Sequence, residues 1–167
     1  LKWSKNRTFS LTGHQIVLGK KKIFTPVDMT YPGHRTITSQ EPTKITEGVA
    51  SIGTVRNQLF LMGRVDEQAI AVNVKGKGIV LIVGCGHQTI PELIRRSETL
   101  FDEPIYGIIG GLHFPVTGGR GRKIFRWVQK NGGVDEAPWN TDKLEDVRRY
   151  AKLFDRKGLR IVGLSAH

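Results

Sequence analysis

One cysteine and one histidine stand two positions apart in a glycine-rich segment of this sequence. Cys85 and His87 belong to the run Gly84-Cys85-Gly86-His87, and residues two apart project to the same side of an extended chain. A thiolate and an imidazole on one side could bind a shared metal ion or a shared substrate. The glycines allow the backbone to turn sharply and approach a ligand, although they would equally serve a tight connection between a strand and a helix.

Two more histidines stand in comparable positions along the chain. Each histidine lies just beyond a predicted strand: residues 79–83 precede His87, residues 105–109 precede His113, and residues 159–164 precede His167. In α/β folds, sites are built at the edge where the carboxyl ends of the strands meet. A lone histidine there is more often structural, but three at one edge favour a functional site. The sequence therefore predicts that the three imidazoles converge.

Structural roles remain open for each of these residues. Cys85 could be a small, buried and inert apolar residue, and His113 could cap the turn formed by Gly110 and Gly111. The helix predicted after His87 could bind an anion through the free N–H groups of its first turn. That last role is compatible with a metal ion nearby.

The segment 79–83 is apolar at every position, which is typical of a central strand covered on both faces. The run 69–74 predicts its hairpin partner, joined to it by a turn at residues 75–78. A helix is predicted to follow, with Thr89 as its N-cap and Glu92 completing a capping box.

A second helix is predicted to begin near Asp142 and to stop at Gly158. Together these segments predict a mixed α/β arrangement, in which strands alternate with helices and each strand ends in a histidine-bearing loop.

The charge balance of the chain is strongly basic. It has 26 Lys and Arg against 15 Asp and Glu, a net charge of +11. Such a field attracts nucleic acids, phosphorylated metabolites or anionic surfaces. The cations cluster at residues 20–22 and 120–130, yet no nucleic-acid-binding module or interleaved aromatic pattern is present. We therefore expect a solvated basic surface and a small-molecule substrate, with nucleic acid as a less favoured partner.

Neither export nor a membrane span is expected. The longest apolar run, residues 78–83, is far shorter than the roughly 20 residues that cross a bilayer. The single cysteine cannot form an internal disulfide, which fits a reducing compartment. We therefore expect a cytoplasmic protein.

Three ordered motifs carry a resemblance to a known family. They are Glu67-Gln68-Ala69-Ile70, residues 77–87 ending in Gly-Cys-Gly-His, and residues 105–113 ending in Gly-Gly-Leu-His. The order is similar to the C-terminal half of metallo-β-lactamase-fold proteins of the 7,8-dihydropterin-6-yl-methyl-4-(β-D-ribofuranosyl)aminobenzene-5′-phosphate synthase-like group. That group carries an Asp/Glu-Gln-Ala-Leu strand, a Gly-Cys-Ser-His turn and a Gly-Gly-Phe-His turn. The match covers roughly residues 46–167.

This resemblance implies an α/β (α+β) fold, the four-layer αββα sandwich, with one or two metal ions, usually zinc, in a cleft at one edge of its sheets. The first ligands of the family come from a His-x-His-x-Asp-His motif, which is absent from this sequence. We therefore expect residues 1–167 to form a single, incomplete domain, the C-terminal part of the sandwich.

By resemblance, His87 and His167 are metal ligands, Cys85 is a ligand or a neighbour of one, and His113 lies in the substrate pocket. The implied activity is hydrolysis of a small, anionic or phosphorylated substrate by a metal-bound hydroxide. Transfer chemistry on a phosphorylated pterin precursor is the alternative that the name of the group offers. A basic nucleic-acid-binding or nuclease-like protein of the same fold, and a non-catalytic fragment, are the other hypotheses.

Overall fold

The computed structural model describes residues 18–31, 33–59, 63–111 and 143–164. Strands and helices account for most of these residues. In chain order the elements are β1 (Ile23–Thr25), β2 (Thr36–Thr38), β3 (Thr43–Thr46), β4 (Val49–Leu59), β5 (Gly63–Val74), β6 (Gly78–Val83), α1 (Ile90–Glu98), β7 (Ile105–Gly110), α2 (Lys143–Lys157) and β8 (Ile161–Leu164). Within these ranges no helix has both the length and the apolar character that a membrane crossing requires.

The main body is a mixed sheet whose strands lie side by side in chain order, from β3 to β8. Neighbouring strands from β3 to β6 are antiparallel, because the few residues between them are too short for a parallel crossover. Residues 75–77 form the predicted hairpin turn between β5 and β6. From β6 to β8 the strands are parallel. Helix α1 supplies the crossover from β6 to β7, as parallel neighbours require.

The predicted central strand is confirmed in position, since β6 lies between β5 and β7. Its side chains are buried apart from Ile82. The prediction that both faces of the strand are covered is wrong at that residue, which is 48% exposed. Its register partner on β7, Ile109, is 41% exposed. The two isoleucines therefore lie side by side as partly exposed apolar residues on the face of the sheet opposite the core.

The core lies on the other face of the sheet, because alternate residues of each strand point to it. Its buried members are Ile52, Val55, Ala69, Ala71, Ile79, Leu81, Val83, Ile90, Leu93, Ile94, Ile105 and Ile108. Helix α1 contributes to this cluster directly, and Tyr150, Leu153 and Phe154 of α2 pack against it. Both helices therefore cover one face of the large sheet.

Helix α1 forms because its apolar residues recur at helical spacing and Pro91 lies in its first turn, where a missing N–H costs nothing. The predicted capping box is wrong. Thr89 precedes the helix with φ 67° and ψ 147°, and its side chain makes no capping hydrogen bond. The carboxylate of Glu92 instead accepts a hydrogen bond from Arg95 Nε at 2.8 Å. The second predicted helix is confirmed as α2, which is followed by Gly158 at φ 68°.

The small sheet of β1 and β2 is tied to the large sheet by Gln68 of β5. Its Oε1 atom accepts hydrogen bonds from Ser39 Oγ at 2.6 Å and from Ser51 Oγ at 3.1 Å. Its Nε2 atom donates to the Phe24 carbonyl at 3.1 Å. These contacts fix β5 at the residue next to Glu67, whose side chain points to the opposite face.

Candidate metal centre

A carboxylate, a thiol and an imidazole meet just beyond the end of β6. Ligand atoms of Glu67, Cys85 and His87 lie within 4.8 Å of one another, and all three residues are partly buried. In the antiparallel pair of β5 and β6, Ala69 lies opposite Val83. Because side chains alternate along a strand, two further residues on the same face bring Glu67 opposite Cys85. The register of the hairpin therefore assembles this cluster.

His87 is held by two neighbouring strands. Its backbone N–H donates to Glu67 Oε2 at 3.0 Å, and its ring Nδ1 lies 2.7 Å from Glu67 Oε1. Its carbonyl accepts a hydrogen bond from Asn57 Nδ2 of β4 at 2.7 Å. The His87 side chain is only 10% exposed. The loop that carries the imidazole is thus restrained on both its side chain and its backbone.

The loop around His87 is held in a costly conformation. Thr89 adopts φ 67° and ψ 147°, a region that is essentially restricted to glycine and costs roughly 1–3 kcal/mol. Gln88 is 2% exposed, and within the described part of the chain neither polar atom of its amide has a hydrogen-bond partner. A buried polar group without a partner costs roughly 1–3 kcal/mol. Costs of this kind are typical of functional sites, where the surrounding structure imposes the local geometry.

Cys85 is a free, partly buried cysteine. Burial raises the pKa of its thiol, and the negative charge of Glu67 raises that pKa further. In the absence of a cation the residue is therefore a thiol at neutral pH. A metal ligand must be the thiolate, so binding of a metal ion at Cys85 would release a proton.

The raised pKa of Cys85 makes a testable prediction about alkylation. Near neutral pH, iodoacetamide should modify Cys85 more slowly than an unstructured cysteine peptide, because only the thiolate is nucleophilic. Glu67→Gln removes the neighbouring charge and should increase the rate about fivefold or more, since a unit charge about 4 Å away is worth roughly 1 kcal/mol even in water. Mass spectrometry over time measures the rate.

The matched control for this experiment is Asp66→Asn. Asp66 is the neighbouring carboxylate on β5, but it accepts hydrogen bonds from Arg56 Nε at 2.8 Å and Arg64 Nε at 3.1 Å. Its removal should change the alkylation rate by less than about twofold, since it lies on the other face of the strand. An unchanged or slower rate in Glu67→Gln would show that the carboxylate does not act on the thiol.

The donor set suits a soft to borderline divalent cation. Sulfur and imidazole nitrogen are the ligands that zinc prefers. Tetrahedral ligands at metal distances of about 2.0–2.3 Å are separated by roughly 3.3–3.8 Å, and the three groups already lie within 4.8 Å of one another. Small side-chain rotations would therefore bring Cys85 and His87 to the separation that one ion requires.

The spacing argument and the structure agree on Cys85 and His87, which lie together at the end of the central strand. Their role as metal ligands stays a prediction. His113 and His167 lie outside the described residues, so the convergence of three histidines stays a prediction as well. Glu67 was not among the predicted site residues. The hairpin register could have revealed it. If the predicted pairing of residues 69–74 with 79–83 is extended by two residues, Glu67 lies opposite Cys85.

Comparison with known proteins identifies the fold. No family model and no curated protein sequence matches the chain. Among solved structures, the metal-dependent hydrolase Tm1679 of the β-lactamase superfamily is 18% identical with a TM-score of 0.50, over 78% of this chain and 46% of that one. An NDM_FIM-1-like metallo-β-lactamase from Erythrobacter litoralis, in its mono-zinc form, is 12% identical with a TM-score of 0.31, over 54% of this chain and 38% of that one.

The chain therefore has a mixed α+β structure with the metallo-β-lactamase fold, as the sequence predicted. It spans less than half the length of these two structures. At this level of identity the likeness concerns the fold. Membership of the pterin synthase-like group stays a prediction.

Proposed function

We propose that these 167 residues are the C-terminal part of a metal-dependent hydrolase of the metallo-β-lactamase superfamily. The observation that carries this proposal is the cluster of Glu67, Cys85 and His87 at the end of the central strand. Both solved neighbours are metal-dependent or zinc-containing proteins of that superfamily by description. Fold alone does not specify chemistry, but a thiol and an imidazole placed together on this fold supply the ligands that such chemistry uses.

The ion proposed for this site is zinc, one or two per protein, with Cys85 and His87 as ligands. His167 is the further proposed ligand on this chain, and His113 is assigned to the substrate pocket. When bound, such an ion acts as a Lewis acid and makes water a stronger nucleophile at neutral pH. The residues of this chain orient the donors and shield the site, since the His87 and Glu67 side chains are 10% and 20% exposed.

The proposed substrate is a small molecule that is anionic or phosphorylated, in keeping with the net charge of +11. Nucleic acid is less favoured, because cations of α2 are partly neutralised within the chain. Lys157 Nζ lies 2.6 Å from Glu98 Oε1, and Arg148 lies 3.6 Å from Glu145. A single free cysteine used as a metal ligand also fits the cytoplasmic location that we propose.

Cobalt titration of the purified, metal-free protein tests this function. Co²⁺ is a spectroscopic substitute for zinc, and we expect it to bind with at least one ion per chain and to give a thiolate charge-transfer band. Cys85→Ser should abolish that band, because the band requires a sulfur ligand. The zinc-loaded full-length protein that contains these residues should hydrolyse a chromogenic phosphoester, and a chelator should stop the reaction.

Two results would contradict the proposal. One is the absence of stoichiometric cobalt or zinc binding by the wild type. The other is cobalt that binds to the wild type without a thiolate charge-transfer band, which would place the ion away from Cys85, the single cysteine of the sequence. Binding of generic RNA or DNA with a steep salt dependence, without phosphoester hydrolysis, would favour the nucleic-acid-binding alternative instead.

A further inference from the structure

Both oxygens of the Glu67 carboxylate are used by a single residue. Oε2 accepts the backbone N–H of His87 at 3.0 Å, and Oε1 lies 2.7 Å from the ring Nδ1 of the same residue. The Glu67 side chain is 20% exposed and that of His87 is 10% exposed, so water competes weakly for these contacts. A two-point contact of this kind fixes both the position of the loop and the orientation of the ring.

The chemistry of the pair determines which ring nitrogen carries the proton. An ionised carboxylate only accepts hydrogen bonds, so a contact of 2.7 Å between Oε1 and Nδ1 requires a proton on Nδ1. In the neutral imidazole, Nε2 is then the nitrogen with the lone pair. Metal-binding histidines are commonly oriented in this manner, by a carboxylate or carbonyl that accepts the other N–H.

The distance also argues against a direct bond from both residues to one ion through these atoms. Two ligands of one zinc ion are separated by roughly 3.3 Å or more, given bond lengths of about 2.0 Å. The 2.7 Å between Nδ1 and Oε1 is instead a hydrogen-bond length. In this arrangement Glu67 acts through His87.

We propose that Glu67 is a positioning residue, which holds His87 in the Nδ1–H tautomer so that Nε2 carries the lone pair that a metal ion takes. Asn57 assists, because it donates to the His87 carbonyl at 2.7 Å and holds the backbone of the loop. The binding of a metal ion at His87 depends on the function proposed above, whereas the tautomer of His87 does not.

Substitution of Glu67 by glutamine has a specific expected consequence. The amide has one acceptor oxygen and one donor nitrogen, whereas His87 presents two N–H groups. If the amide oxygen keeps the backbone N–H, the amide nitrogen must donate to Nδ1, and the ring proton moves to Nε2. Glu67→Gln should therefore reverse the tautomer of His87 without changing the size of the side chain.

Nitrogen-15 NMR of histidine-labelled, metal-free protein tests this. The chemical shifts of the ring nitrogens show which nitrogen of each histidine carries the proton. His87→Ala identifies the His87 signals among those of the five histidines. We expect the Nδ1–H pattern in the wild type and in Asp66→Asn, and the Nε2–H pattern in Glu67→Gln.

A wild-type His87 in the Nε2–H form, or a tautomer unchanged in Glu67→Gln, would overturn the proposal. Zinc titration of the same samples then separates this proposal from the proposed function. We expect Glu67→Gln to bind zinc 10- to 100-fold more weakly than the wild type, the usual range for loss of an orienting partner. A correct tautomer in a wild type that binds no zinc would contradict the hydrolase function and leave the positioning role intact.

Discussion

Replacement of Leu81 by aspartate is expected to abolish the folded state. Leu81 is fully buried at the centre of the core, on the strand that lies between β5 and β7. The change forfeits roughly 1.5–3 kcal/mol of apolar burial and buries an unpaired carboxyl group, at a cost of roughly 3–5 kcal/mol. The sum is comparable to the whole stability of an ordinary domain, roughly 5–15 kcal/mol. Circular dichroism and urea denaturation measure the loss.

The neighbouring residue provides the matched control. Ile82 is the next residue on the same strand, but its side chain points to the opposite face of the sheet and is 48% exposed. Ile82→Asp should lower the free energy of unfolding by about 1 kcal/mol, the span of strand propensities. Equal losses in the two variants would mean that the core does not lie on the face that α1 covers.

Replacement of His87 by alanine should remove most of the metal affinity while the fold persists. Loss of a direct ligand should exceed the 10- to 100-fold effect that is usual for an orienting partner, so we expect a decrease of more than about 100-fold. The alanine keeps the backbone hydrogen bonds to Glu67 and Asn57. Only the ring contact is lost, so the metal-free protein should lose about 1 kcal/mol of stability. Metal analysis and calorimetric zinc titration measure the affinity.

His34→Ala controls for the loss of any histidine. His34 forms a β-bridge with Tyr31, and the centroids of their two rings lie 5.6 Å apart. Its removal should leave zinc affinity unchanged. Equal metal per chain in the wild type and His87→Ala would instead show that His87 is a structural residue at the start of α1.

Much of the architecture was predictable because local pattern dictates it. A short apolar run such as residues 79–83 is typical of a buried strand. The turn residues that precede it predict a hairpin with β5. The apolar spacing of α1 and α2 likewise selects a helical face. The proximity of Cys85 and His87 follows from their spacing, since any chain conformation keeps residues two apart close together.

Contacts between distant segments could not be predicted in the same way. The open side of Ile82 depends on what packs against the sheet. The hydrogen bond from Asn57 to the His87 carbonyl joins two segments that lie far apart in the sequence. These outcomes depend on three-dimensional neighbours that local pattern does not specify.

The sequence by itself determined that a thiol and an imidazole follow a central strand, and that a helix begins immediately after them. Only the tertiary structure decided that Glu67, 20 positions before His87, would contact both its ring and its backbone. The physical reason is strand register. A shift of one residue between β5 and β6 would point Glu67 away from the loop and bring Gln68 or Asp66 to its face.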